Sequence, residues 1–275
     1  MSGFNTPKEV AEAMVSIGKK KVSMPFLAAS VLGILAGVYI GFGAQIATTV
    51  STTTSKFLGF GISKFLAGSV FSVGLMLVVI AGAELFTGNN LIVKAVLKGE
   101  VTWAQLVKSW VIIYIANFIG SLIVVFIVYL GGLYASAGNE LGATALKIAN
   151  AKVNLSFAAA FFRGILCNWL VCLAVWLCIA AKDVTGKIWS CFFPIMTFVA
   201  CGYEHSIANM FFIPMGVLLK NQPQVLETAG LTLSQLGNLT WVGAFTNNIL
   251  AVSLGNIIGG AVFVGTAYFF VYLRD

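Results

Sequence analysis

The sequence predicts an all-α membrane protein: six transmembrane helices in an inverted 3+3 repeat, with the second and fifth helices interrupted. Three observations carry that expectation. The 275 residues are 59% hydrophobic and only 9% charged, with a mean hydropathy of +0.98. A soluble domain carries about 25% charged residues to face water. Six apolar segments each reach the ~20 residues that a helix needs to cross hydrocarbon. The pattern G-x-E-x4-N also occurs twice, in "AGAELFTGN" (residues 81–89) and "CGYEHSIAN" (residues 201–209).

Ahead of the first span, "TPKEVAEAMVSIGKKK" reads as an amphipathic helix. Thr6 can cap it, Pro7 suits the first helical position, and Glu9 completes a Thr-x-x-Glu capping box. Val10, Met14 and Ile17 share a face, and the lysine run suits the headgroup region. This divides the chain into residues 1–24, an amphipathic helix that anchors at the interface or gates a pore mouth, and residues 25–275, a transmembrane domain. The polar N-terminus shows no short apolar core followed by an A-x-A site, so no cleavable signal peptide is expected.

The six spans fall at residues 25–48, 65–84, 109–133, 157–181, 188–219 and 241–273. The fifth is long enough to be two half-helices around a break. Six spans place both termini on one side. Of the 16 lysines and arginines, ten lie at the N-terminus, in the second-to-third and fourth-to-fifth connections, and at Arg274. The other six (Lys56, Lys64, Lys147, Lys152, Arg163, Lys220) lie on the opposite side, so both termini are expected to be cytoplasmic. The net charge of +7 is therefore an orienting charge. No basic block is interleaved with stacking aromatics, and no nucleic-acid partner is expected.

Each G-x-E-x4-N copy lies in the second helix of a three-helix half. Three spans per half make the two halves enter the membrane from opposite sides. Matched interrupted helices in such halves point to a transport site near the midplane. Small-residue stripes (Gly33, Gly37, Gly41; Gly255, Gly259) allow close helix approach, within the bundle or between subunits. The five cysteines, all in apolar segments with no CxxC pair, read as packing residues, and no metal or cofactor is expected.

Ionisable groups inside lipid are expensive and default to function. His205, the one histidine in the chain, is a candidate proton relay or substrate contact. Phe198, seven residues earlier, shares its face if the helix runs on that far. Glu84 and Glu204 would sit where helices break and accept freed backbone N–H groups, with Asn89 and Asn209 as tethers. Thr87, in the first break, can donate and accept, and could face His205 across a pseudo-symmetric pore. Asn168, inside the fourth span, is either interhelical glue or pore lining. Lys152 either snorkels at the interface or draws anions into a vestibule.

Together "AGAELFTGN", "GILCNWLVCLA" and "GYEHSIANM" resemble, in order and spacing, the formate/nitrite transporter family of small-anion channels. The resemblance covers nearly the whole chain and implies an aquaporin-like fold, a homopentamer in a plasma (inner) membrane, and one pore per protomer. Matched by motif, it implies that His205 and Thr87 are the central pore pair, Asn168 a pore asparagine and Lys152 the vestibule lysine. Phe71, Leu75 and Phe198 match an outer apolar constriction, and Phe86 and Val171 an inner one. From the residues alone Phe71, Leu75 and Val171 read as lipid or core packing.

The expected function is conduction of small monovalent anions of weak acids: formate first, with nitrite or hydrosulfide as related choices. Desolvation in the constriction would raise the pKa of the anion, which would take a proton from His205 or from water and cross as a neutral acid. A proton-coupled anion transporter is the near alternative. A neutral-solute or water channel shares the broken-helix repeat but would normally carry NPA motifs, which are absent. An intramembrane enzyme is disfavoured: Ser206 adjoins His205 in sequence, so on a helix the two side chains diverge.

Overall fold

Thr6 caps the first helix, α1 (Pro7–Val22), through the full capping box with Glu9. Val10, Ala11, Met14 and Gly18 of its inner face are buried, while Lys19 pairs with Glu100 at 2.7 Å. In the computed structural model the chain, described over residues 3–274, is helical throughout. Residues 1, 2 and 275, the outermost of the two expected segments, lie outside the described residues.

The elements follow the expected order: α2 (Phe26–Ser51), α3 (Thr54–Gly82), α4 (residues 88–97), α5 (Trp103–Leu130), α6 (Glu140–Val153), α7 (Phe157–Ala180), α8 (Val184–Ala200), α9 (Ser206–Leu219), α10 (Pro223–Ala229) and α11 (Trp241–Tyr272). Among the described residues, α2, α3, α5, α7 and α11 are long and apolar enough to cross a membrane. The two shorter apolar helices α8 and α9 lie end to end where a long fifth segment was expected. Helix also precedes the expected second span over residues 54–64, although Lys56 and Lys64 depress their hydropathy, and the chain kinks there at Gly59, whose φ is +75°. Lys56 reaches out to Glu140 at 3.0 Å. The amphipathic helix α6 was not foreseen.

The glycine stripes resolve as packing within the chain. A β-carbon on Gly37 would run into the carbonyl of Asn117, and one on Gly259 into that of Ile165, so α2 lies against α5 and α11 against α7 by backbone contact. On its other side α5 exposes Val107, Val111, Ile115, Ile119 and Ile123. That stripe at a spacing of four is an outward apolar face.

Both interruptions begin at the motif glycine. Gly82 has φ +87° and Gly202 φ +73°, the left-handed region that a side chain disfavours. There α3 ends in a wide π-helical turn over Leu77–Gly82, and the chain runs extended until Thr87 starts α4. Likewise α8 stops at Ala200 and His205 starts α9.

Candidate functional site

Thr87 and His205 are the N-cap residues of α4 and α9, and their side chains meet, Oγ1 to Nε2, at 3.0 Å. Two half-helices therefore present their N-terminal, positive dipole ends to one point, and both residues are buried. The imidazole is fixed from both sides. The Ala208 N–H donates to Nδ1 at 3.1 Å, so Nδ1 accepts and the proton of the neutral ring sits on Nε2, facing Thr87.

A cavity approaches this point from each side. One, of about 550 Å³, opens beneath α1 and is bordered by Lys21, Leu75, Val78, Glu84 and Asn89. The other, of about 250 Å³, lies by α6 and is bordered by Lys64, Phe71, Lys152, Arg163, Phe198 and His205. The two have no bordering residue in common. Between them Phe71 and Phe198 pack edge to face with centroids 5.7 Å apart, and Leu75 is buried beside them. Phe198 also stacks on His205 at 5.9 Å and 21°. The expected stacking thus occurs although α8 does not run through to His205, because the break folds Phe198 back over the ring.

Each cavity carries the same trio. Lys152 Nζ donates to both oxygens of Glu204 at 2.9 and 3.0 Å, and Asn209 donates to Glu204 at 2.6 Å. On the α1 side Lys21 Nζ donates to both oxygens of Glu84 at 2.7 Å, and Asn89 donates to Glu84 at 2.8 Å. Lys21 also reaches Asn89 Oδ1 at 2.8 Å. Both carboxylates are buried and neutralised by a lysine. They were expected to take up freed backbone N–H groups, but they bind lysine and asparagine side chains instead.

The freed backbone goes to two asparagines that the motif pattern did not single out. Asn117 on α5 donates to the carbonyls of Gly33 and Glu84 at 2.7 and 2.9 Å and accepts the Phe86 N–H at 2.9 Å. Asn256 on α11 donates to the carbonyls of Gly164 and Glu204 at 2.8 and 3.0 Å and accepts the Ser206 N–H at 2.9 Å. Asn248 adds a third tether, donating to the Lys152 carbonyl at 2.9 Å and accepting from Asn209 at 2.6 Å. A usable signal existed: amides inside apolar spans need partners.

Thr87 and three other expected site residues border neither cavity. Asn168 holds the Thr87 carbonyl at 3.2 Å, Asn90 Oδ1 at 2.7 Å and the Asn256 carbonyl at 2.6 Å, which is a gluing geometry. Phe86 is buried edge to face against Tyr114, centroids 4.8 Å apart, and Val171 is buried in the same core. Among the described residues no three metal-ligating side chains cluster.

The sequence profile described as "Formate/nitrite transporter" matches residues 8–270. The "Probable formate transporter" of Methanothermobacter thermautotrophicus is 40% identical over all of this chain and 99% of its own length. "Formate channel FocA" of Escherichia coli (strain K12) is 38% identical over 98% of this chain and 95% of its own. Among solved structures, "Pentameric formate channel with formate bound" superposes with a TM-score of 0.82 at 38% identity, covering 90% of this chain and 98% of that one. "FNT family ion channel" gives 0.81 at 28% identity, over 95% and 98%.

Proposed function

The chain belongs to the formate/nitrite transporter family, and from that premise we propose that it is a membrane channel for small monovalent anions of weak acids, formate first. The observation that carries the reading is the Thr87–His205 contact. There two helix N-termini converge between two cavities that each hold a lysine–glutamate–asparagine trio.

The path begins in the α6-side cavity, which Lys152 borders. The anion then meets Phe71, Phe198 and Leu75, where water is excluded. Desolvation penalises its charged form and raises its pKa, so it crosses as the neutral acid. His205 serves this step as a hydrogen-bond donor through Nε2–H. Its Nδ1 is occupied by the Ala208 N–H, and a neutral imidazole that gave up its one ring proton would be left anionic in an apolar site. That chemistry favours water as the source of the proton. The half-helix N-termini keep the anion bound until it is protonated. Asn168 acts by holding Thr87, while Phe86 and Val171 form the second apolar ring on the α1 side.

The paired hydrogen bonds of Asn117 and Asn256, and of Glu84 and Glu204, support an aquaporin-like inverted 3+3 repeat. They also suggest that α1 and α6 correspond, since Lys21 and Lys152 each precede the start of the next helix by the same interval. The lysine bias supports cytoplasmic termini in a plasma (inner) membrane, with residues 1–24 as the cytoplasmic helix under the inner mouth and residues 25–275 as the channel domain. The superposition on a pentameric formate channel supports a homopentamer in the lipid bilayer.

Flux into proteoliposomes tests the reading. Formate, nitrite and hydrosulfide should enter faster than into protein-free vesicles, while osmotic water swelling stays at the background rate. Water permeation without anion flux would replace it by a neutral-solute channel. Reversal potentials that follow a fixed proton-to-anion ratio would replace it by a coupled transporter.

A further inference from the structure

We propose that Lys64 and Arg163, rather than Lys152, supply the net positive field that captures monovalent anions at the α6-side mouth. The proposal rests on the anion-channel reading above.

The bordering charges of the two cavities differ. The α1-side cavity has one cation and one carboxylate, Lys21 and Glu84, joined in a 2.7 Å pair. Its net charge is zero. The α6-side cavity has three cations, Lys64, Lys152 and Arg163, against one carboxylate, Glu204. Lys152 gives both short bonds to Glu204, so at a distance the two cancel. What remains is the pair Lys64 and Arg163, neither of which has an ion-pair partner among the described residues. Lys64 lies half-buried on α3, over the ring of Phe60 at 5.6 Å and near enough to Lys152 and Glu204 to feel both charges. Arg163 is exposed on α7, and its backbone carbonyl accepts the Glu204 N–H at 3.3 Å, which anchors it to the same break. In the other half, Leu32 takes the Arg163 position: its carbonyl accepts the Glu84 N–H at 3.1 Å. The arginine is therefore a one-sided addition to an otherwise matched pair of mouths.

Uncompensated charge at the rim of a low-dielectric cleft raises the local concentration of counter-ions and their capture rate. The effect is screened by salt, since the Debye length falls from about 20 Å at low ionic strength to about 4–5 Å near 0.5 M. Lys152, locked to Glu204, is left to orient the break and to offer a local contact.

The test is the initial rate of formate entry into proteoliposomes as a function of ionic strength. The double variant Lys64→Gln/Arg163→Gln should enter about three- to tenfold more slowly than wild type at low salt, with the gap closing to less than about twofold near 0.5 M. The variant Lys64→Arg/Arg163→Lys, which keeps the charge, should retain the wild-type rate. The pH profile should not move. Equal rates for the double variant and wild type at low salt overturn the proposal. So does a deficit that salt does not shrink, or an equal deficit in the charge-keeping variant. Failure of the wild-type protein to carry formate would instead remove the channel reading itself.

Discussion

Asn117 and Asn256 make the same three hydrogen bonds in the two halves of the molecule. Each donates to the carbonyl of the motif glutamate and to that of a glycine on the first long helix of its half, and each accepts the N–H two residues beyond the glutamate. All the groups are buried, and in lipid an extended segment is tolerated only where protein satisfies it. Removing either amide leaves the glutamate carbonyl and one N–H unpaired, while the glycine carbonyl keeps the ladder bond of its own helix. Asn117→Ala and Asn256→Ala should each lower stability by about 1–3 kcal/mol. The measurement is the thermal midpoint in detergent, and a midpoint unchanged in both variants would sink this account of the breaks.

Those breaks were legible because Gly, Glu and Asn are expensive in an apolar run, so their recurrence at fixed spacing stands out. The capping box of α1 was legible too, since Thr6 and Glu9 act within one turn. The contacts that close the site were not. Lys21 and Glu84 lie far apart in the chain, and nothing local in "GKKKV" says which lysine turns inward. Helix α6 escaped notice because at 14 residues it is too short to span and mixes alanines with polar residues, and the wide turns at Leu77–Gly82 and Ile258–Thr266 leave no periodic signal. Asn168 illustrates a harder case. Glue and pore lining demand the same residue type, and only its three partners separate them.

Lys152 and Glu204 should behave as a unit. Taking away the lysine strands a buried carboxylate, which costs about 3–5 kcal/mol, whereas neutralising both partners should cost far less. Lys152→Met should therefore lower the thermal midpoint more than Lys152→Met/Glu204→Gln. If the double variant is the less stable of the two, the pair holds the fold by something other than charge compensation.

Helix α1 is attached by Lys21–Glu84 and by the exposed Lys19–Glu100 pair. The hydrogen bond and charge of Lys19 hold the Glu100 carboxyl below the ordinary carboxylate range. A carboxyl depressed in the folded state contributes above its unfolded pKa, and that contribution is lost as pH falls through the folded value. Attachment of α1 should therefore weaken only in acid, below about pH 4. Hydrogen exchange of α1 amides, corrected for intrinsic rates, should rise there and more strongly in Lys21→Ala. Protection that stays constant from neutral pH to pH 3 would show that apolar contacts of Val10 and Met14 suffice.

Lys94 is fully buried on α4, and its Nζ finds no hydrogen-bond acceptor among the described residues. It lies over the Trp176 ring at 4.9 Å, an attraction of about 1–2 kcal/mol. That is less than the several kcal/mol needed to desolvate an ammonium. Lys94→Met keeps the length and removes the polar head, so it should stabilise the protein by about 1–3 kcal/mol. A lowered thermal midpoint would mean that the ammonium has a function that holds the fold.

His205 gives the sharpest test of where the transported proton comes from. Asn at this position can still accept the Ala208 N–H as an N-cap, so His205→Asn should fold. It has no ring that can take up or release a proton. If water protonates the anion and the imidazole only holds it, the variant should lose about tenfold in formate flux through weaker binding. Its pH dependence should still follow the acid–base equilibrium of the substrate, with flux rising as pH falls. If the imidazole were the proton source, the variant would lose the wild-type pH profile altogether. Flux measured from pH 5 to 8 in wild type and His205→Asn separates the two, because binding changes the height of the profile and the proton source changes its shape.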